Sequence, residues 1–307
     1  MTSSARRLLE FGSGLVRVLP IDTVSRGGEF AGRVAARRRP DQRRILRENL
    51  RQVLPDAEAA ELDELVVDGF GSYGRYWAET LRLPSLSADA IDRRFDVVGY
   101  ENIQESLSAG FGPIMVLPHL GGWEWAAAWL GRVAELPVSA VVERLEPDDV
   151  FEWFTDLRSS YGVNVIPLGP AAMGDVVKAV KDKHVVCLLA DRDIGDSGTT
   201  VEFFGAAASL PIGPALLSRR TGAPTLPTAV YFEEGRHLCR VGKPLWPIRT
   251  GDFRADLQAM TERNAAALED LIKLAPEQWH VLEPIWADDS PVEDDTSNDP
   301  DAPRTPK

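Results

Sequence analysis

The period of the apolar positions changes near residue 95. Ahead of that point they recur at helical spacing. Residues 3–19 set Leu8, Leu9, Phe11, Leu15, Val16 and Leu19 among Arg6, Arg7 and Arg17, which predicts an amphipathic helix with a basic polar face. A second helix is predicted over 41–54, opening at Asp41 and closing before Pro55. A third runs over 57–82, where Leu62, Leu65, Val66, Phe70, Tyr73, Tyr76, Trp77 and Leu81 form a stripe read as core packing, and Pro84 ends it. From Phe95 onward the apolar residues gather into short runs. Strands are predicted at Phe95–Val98, Ile114–Leu117, Val138–Val142, Val163–Ile166, Val185–Ala190, Val201–Phe204, Thr225–Phe232 and Leu238–Val241, with helices between several of them. The Val201 and Leu238 strands follow their neighbours too closely for helical crossovers, so the sheet is expected to be mixed. A last helix over 253–274 ends at Pro276. The fold class is α/β: a helix-flanked mixed sheet with an N-terminal helical region.

One stretch stands out within this pattern. Gly112-Pro-Ile-Met-Val-Leu-Pro-His119-Leu-Gly-Gly-Trp-Glu124 reads as a buried strand that stops at Pro118, turns on Gly121 and Gly122, and enters a helix near Trp123. Such a corner presents side chains and free amides to a ligand. His119 and Glu124 read as a His–carboxylate pair, with the carboxylate orienting an imidazole that takes a proton from a hydroxyl. The plainer reading of the same spacing is a solvated helix end. A second polar cluster, Asp191-Arg192-Asp193-Ile-Gly195-Asp196, follows the strand at Val185. It is either a polar loop or an active-site edge. It fails as a calcium loop, because Gly195 replaces an oxygen ligand and Asp196 the turn glycine. Glu143, Arg144 and Arg158 neighbour the Val138 strand and read singly as surface charges. Val201–Gly205 and Leu210–Pro227 supply packing or one wall of an acyl-chain channel. The sequence holds no zinc spacing, phosphate loop, dinucleotide fingerprint or Gly-x-Ser-x-Gly elbow.

Composition sharpens this picture in two places. The formal net charge of the 307 residues is −13, which argues against nucleic acid as a partner. Yet residues 1–51 hold Arg6, Arg7, Arg17, Arg26, Arg33, Arg37, Arg38, Arg39, Arg43, Arg44, Arg47 and Arg51, while the acids crowd beyond Trp286. The basic end fits an anionic surface. Three parts follow: a basic amphipathic helical region over 1–40, expected to associate with membrane or else to pack as a surface helix; a main domain over 41–286; and an acidic, disordered tail over 287–307. Cys187 and Cys239 fall in predicted strands and read as buried thiols, although a bridge between them is open.

Several of these segments together resemble the bacterial lipid acyltransferases related to lipid A biosynthesis acyltransferase. They are the His119–Glu124 corner, Ala190-Asp-Arg-Asp193, Val201-Glu-Phe-Phe-Gly205, Pro211-Ile-Gly-Pro-Ala-Leu-Leu, Arg47-Glu-Asn-Leu50, Ser72–Pro84 and Val142-Glu-Arg-Leu-Glu-Pro147. The order and spacing across residues 40–285 carry the resemblance, which is strongest to the actinobacterial branch that acylates phosphatidylinositol mannosides. It implies the sheet of the glycerolipid acyltransferase type and transfer of a palmitoyl group from palmitoyl-CoA. The implied acceptor is the 6-hydroxyl of the mannose on inositol position 2. It implies a peripheral protein on the cytoplasmic face of the plasma membrane, with neither metal nor cofactor. By position, His119 matches the general base, Glu124 the motif carboxylate and Asp191 an acidic partner. Glu143, Arg158 and Arg192 match polar residues lining the substrate site.

Overall fold

The computed structural model of the protein describes residues 3–144, 146–194 and 198–286. Four helices come first: α1 (Ser4–Val16), α2 (Ile21–Ala36), α3 (Pro40–Val53) and α4 (Ala59–Arg82). A short α5 (Ala88–Asp92) leads into β1 (Phe95–Val98), α6 (Tyr100–Ser108), β2 (Ile114–Leu117), α7 (Trp123–Arg132), β3 (Val138–Val142) and α8 (Asp148–Ser159). Then follow β4 (Val163–Pro167), α9 (Ala172–Lys181), β5 (Val185–Leu189), β6 (Thr199–Phe203), β7 (Ala206–Leu210) and α10 (Gly213–Thr221). The chain closes with β8 (Thr225–Phe232), β9 (His237–Val241) and α11 (Phe253–Ile272). Local chemistry sets several boundaries. Pro40 opens α3 at a position where a missing N–H costs nothing. The Asp252 side chain caps α11 by accepting from the amides of Arg254 and Ala255 at 3.0 and 3.1 Å.

The main sheet has seven strands in the order β1-β9-β8-β2-β5-β3-β4. Every pair is parallel except β8·β9. The sheet is therefore mixed, through the strand expected at Leu238. The strand expected at Val201 is not in it. That strand, β6, forms a separate antiparallel hairpin with β7, which the apolar pattern does not reveal because its residues are Ala206-Ala-Ala-Ser-Leu210. Central β2 is buried along its whole length. Ile114 and Val116 face α9 and α11 through Val176, Val180, Leu268 and Ile272. Met115 and Leu117 face α7 and α8 through Trp125, Trp153 and Phe154. Two cores thus sandwich the sheet, as alternation along a doubly covered strand requires.

Helix α2 falls within the helical region expected over 1–40, but the apolar period does not single it out, since Gly27, Gly28 and Gly32 weigh against helix in a solvated segment. It lies on α4 so closely that a Cβ at Gly32 would sit 2.0 Å from the Phe70 carbonyl oxygen. The cysteines are free thiols, Cys239 buried and Cys187 partly so. Burial, then the nearby Glu124 charge, pushes the Cys187 thiol up to about 12. The expected acidic tail and the Gly195-Asp196 pair lie outside the described residues.

Candidate active site

Parallel pairing brings the site together. β2 and β5 are neighbours in register, Leu117 opposite Leu189. His119 and Asp191 each stand two residues past those ends, so they meet at the carboxyl edge of the sheet. Glu143 leaves the adjacent β3 at the same edge. The corner after β2 depends on its glycines. Gly121 has φ +58°, and a Cβ there would lie 1.9 Å from the Val230 carbonyl oxygen. The Gly121 amide donates to the Gln278 carbonyl at 2.9 Å and the Gly122 amide to that of Val230 at 3.1 Å. A Cβ at Gly122 would meet the His237 ring at 2.8 Å.

The carboxylate that holds His119 is Asp191. Its Oδ1 lies 2.6 Å from His119 Nδ1, and its Oδ2 accepts from the His119 amide at 2.7 Å and from Trp279 Nε1–H at 2.8 Å. Asp191 is fully buried. Burial alone would raise its carboxyl, but the His119 ring and the donated hydrogen bonds outweigh it and hold the group below its ordinary value. An ionised Asp191 puts the ring proton on Nδ1 and leaves Nε2 as the basic nitrogen.

Glu124 corrects the expected pairing with His119. Its Oε1 accepts from Arg158 Nη2 at 2.6 Å and Nε at 3.0 Å, and its Oε2 from the Tyr161 hydroxyl at 2.6 Å. The reason is helical geometry: Glu124 lies in the first turn of α7, buried toward α8 and Tyr161. Arg158 is likewise no surface charge. The Glu124 charge raises its already high pKa against the effect of burial. Tyr161 is raised by burial and by Glu124.

His119, Glu124, Glu143, Arg158 and Arg192 all border one cavity of about 600 Å³, with Asp191 behind His119. Most of the lining is apolar: Tyr76 and Trp77 from α4, Met115 and Leu117 from β2, Ala140 and Val142 from β3, and Leu189 from β5. Pro211–Pro214 contribute one wall of the cavity. Phe203 and Phe204 pack instead on Trp279 and Trp286. Arg192 is ion-paired with Glu283 at the edge.

Sequence reasoning did not find Trp279 or His280. They lie past the last helix in the run Pro276-Glu-Gln-Trp-His280, where a Trp-His doublet beside a proline was the one available signal. The His280 amide donates to the His119 carbonyl at 2.7 Å, and its Nε2 is 2.8 Å from Ser72 Oγ on α4. Burial, then the charge of His119, pushes the His280 imidazole down to about 3 against the pull of Asp191. His280 is thus neutral at pH 7.

The arrangement can hold a long apolar group beside an oriented base and a buried ion pair. The family described as bacterial lipid A biosynthesis acyltransferase matches residues 8–288. The phosphatidylinositol mannoside acyltransferase of Mycobacterium tuberculosis (strain H37Rv) is 37% identical over 280 residues, 89% of this chain and 86% of that protein. The protein of that name in Mycolicibacterium smegmatis is 36% identical over 283 residues, 91% and 90% of the two chains. The lipid A biosynthesis lauroyltransferase of Escherichia coli K12 is 27% identical over 276 residues, 87% and 86% of the two.

Proposed function

This chain belongs to the bacterial lipid A biosynthesis acyltransferase family, and from that premise we propose that it moves a palmitoyl group from palmitoyl-CoA to a phosphatidylinositol mannoside. The acceptor atom is the 6-hydroxyl of the mannose on inositol position 2. The observation that carries the reading is the His119–Asp191 pair opening onto an apolar cavity. The relatives of that name support the acceptor.

The geometry supports the following course. Asp191 fixes the His119 tautomer and stabilises the imidazolium that forms. His119 Nε2 takes the proton of the mannose hydroxyl as its oxygen attacks the thioester carbonyl carbon. The Trp123 and Glu124 amides open α7 at the same corner, where they would meet the developing oxyanion. The carbon–sulfur bond then breaks, and the thiolate of CoA takes the proton back from His119. The product is an ester, and no acyl-enzyme is needed. Glu143 and Arg192 at the cavity edge serve the acceptor's hydroxyls. The Glu124–Arg158 pair supports the cavity wall under the corner. The enzyme works from the cytoplasmic face of the plasma membrane as a peripheral protein.

The test is CoA release from palmitoyl-CoA by purified protein, with and without phosphatidylinositol mannoside, for wild type and His119→Ala. Acceptor-dependent release with an acylated product is expected, falling at least about 100-fold in the variant. Release that ignores the acceptor would mean thioester hydrolysis. A panel including lipid A-like and glycerol phosphate acceptors checks the acceptor class. Binding of the mannoside without turnover on any acyl donor would turn the protein into a lipid binder.

A further inference from the structure

The cavity at His119 has a neighbour that the reaction above leaves unused. A groove of about 640 Å³ is bounded by Arg47, Glu48, Arg51 and Gln52 of α3, by the β6–β7 turn at Gly205, and by Trp286. Helix α3 joins the two spaces. Gln42 borders the cavity, and Arg51 borders the groove about 14 Å further along the helix, at 1.5 Å per residue.

Between them α3 carries arginine at every fourth position: Arg39, just ahead of the helix, then Arg43, Arg47 and Arg51. That spacing keeps them on one slowly turning stripe. Acid neutralises only part of it. Arg47 pairs with Asp63 at 2.8 Å, and Glu48 in the groove is taken by Arg44 at 3.0 Å. Arg39 bonds to the neutral Gln42. Arg51 is exposed with no acidic partner among the described residues. Arg43 Nε and Trp286 Nε1 are buried with no hydrogen-bond partner among them. Across from the arginines, the turn is built from Gly205, Ala206 and Ala207, with Gly205 at φ +77° and no atom within 4 Å of its would-be Cβ. A planar group has room there.

Guanidinium groups match phosphate oxygens in charge and geometry. An indole gives a nucleobase an apolar surface to lie against. We infer that this groove holds the phosphorylated nucleotide end of the acyl donor. Arg51 and Arg47 meet the phosphates and Trp286 the base, while the pantetheine arm follows the arginine stripe to the thioester at His119. The inference rests on the acyl-CoA reading above. An anionic lipid head group shares the phosphate chemistry but gives Trp286 no base.

The experiment measures donor kinetics in detergent micelles, without vesicles, for wild type, Arg51→Ala and Arg51→Glu. Arg51 has no hydrogen-bond or ion-pair partner among the described residues, so both variants keep the wild-type melting temperature. Arg51→Glu raises the KM for palmitoyl-CoA about tenfold or more, the loss of one charge-assisted contact, and leaves kcat unchanged. With palmitoyl-pantetheine, which lacks the nucleotide, wild type and variant behave alike. An unchanged KM for palmitoyl-CoA overturns the inference, as does an equal rise with both donors. Weaker binding to phosphatidylglycerol vesicles with unchanged donor KM assigns the stripe to lipid head groups and also overturns it. If wild type turns over no CoA thioester, the acyl-CoA reading fails by itself. Titration with adenosine 3′,5′-bisphosphate then decides the groove: binding weakened by Arg51→Glu keeps it as a nucleotide site, and no binding to wild type removes it.

Discussion

A carboxylate five positions from a histidine is close in sequence and aimed elsewhere in space. His119 and its partner Asp191 were both legible, because each follows an apolar strand, but their contact was not, since parallel strand order cannot be read from one chain. Glu124 belongs to Arg158 and Tyr161, and that assignment has a measurable consequence. Removing the guanidinium leaves a buried carboxylate unpaired, so Arg158→Ala should cost about 3–5 kcal/mol in urea unfolding. Glu124→Gln combined with Arg158→Met removes both charges and should lose much less. Equal losses would mean that Glu124 relaxes into water.

The buried histidine and carboxylate also set an acid limit. His280 is held near 3 in the fold against 6.5 unfolded, and Glu79, despite its burial, is drawn down to about 2 from 4.5 by His237 and Arg75. Below 6.5 the unfolded chain binds a proton that folded His280 refuses, so stability falls with pH until about 3. For Glu79 the unfolded chain likewise gains its proton first, and stability is lost from 4.5 down to about 2. Both act in the same direction. The slope should be up to about 1.4 kcal/mol per pH unit from each group, steepest where the windows overlap between 3 and 4.5. His280→Gln should flatten the limb between 4.5 and 6.5; an unaltered limb there would exclude His280 as its source.

At the scale of elements, periodicity located strands that bury one run of apolar residues and helices ended by proline. It missed elements whose logic is contact. Helix α2 is weak on propensity because of Gly28 and Gly32, yet those residues are what allow it to lie against Gly74 and Phe70 of α4. Hairpin β6–β7 has alanines where a strand usually shows branched residues, because Ala208 packs tightly into the core. The close approach predicts that Gly32→Ala, harmless in an isolated helix, destabilises the fold by about 1–3 kcal/mol through overpacking. Gly27→Ala, with nothing within 4 Å, should be neutral or slightly stabilising. Thermal melts of the two variants separate a packing role from simple helix propensity, which would make both stabilising.

At the scale of the molecule, the proposed reaction would join the basic end to the apolar cavity. No helix among the described residues is long and apolar enough to cross a membrane. Even so, α1, α2 and the turn between them expose Phe11 (73%), Leu15, Val18 and Phe30 (70%), beside exposed Arg7, Arg17 and Arg26. Leu9 of α1 and Ile21 of α2 pack on the core, so the same helices are anchored on one side and apolar on the other. Such a composition would suit an interfacial surface, where rings enter the acyl boundary and cations meet anionic lipid at about 1 kcal/mol each. Arg39, three residues past α2, borders the cavity, which would bring a membrane-bound acceptor to the site's edge. Replacing Phe11 and Phe30 with serine should therefore cut co-sedimentation with phosphatidylglycerol-containing vesicles at least about tenfold, while raising salt weakens the wild type. Turnover of a short-chain, water-soluble acceptor should stay as it was, because the rings lie outside the cavity. Equal vesicle binding by wild type and variant would mean that α1 and α2 are packing helices whose exposed rings serve no surface.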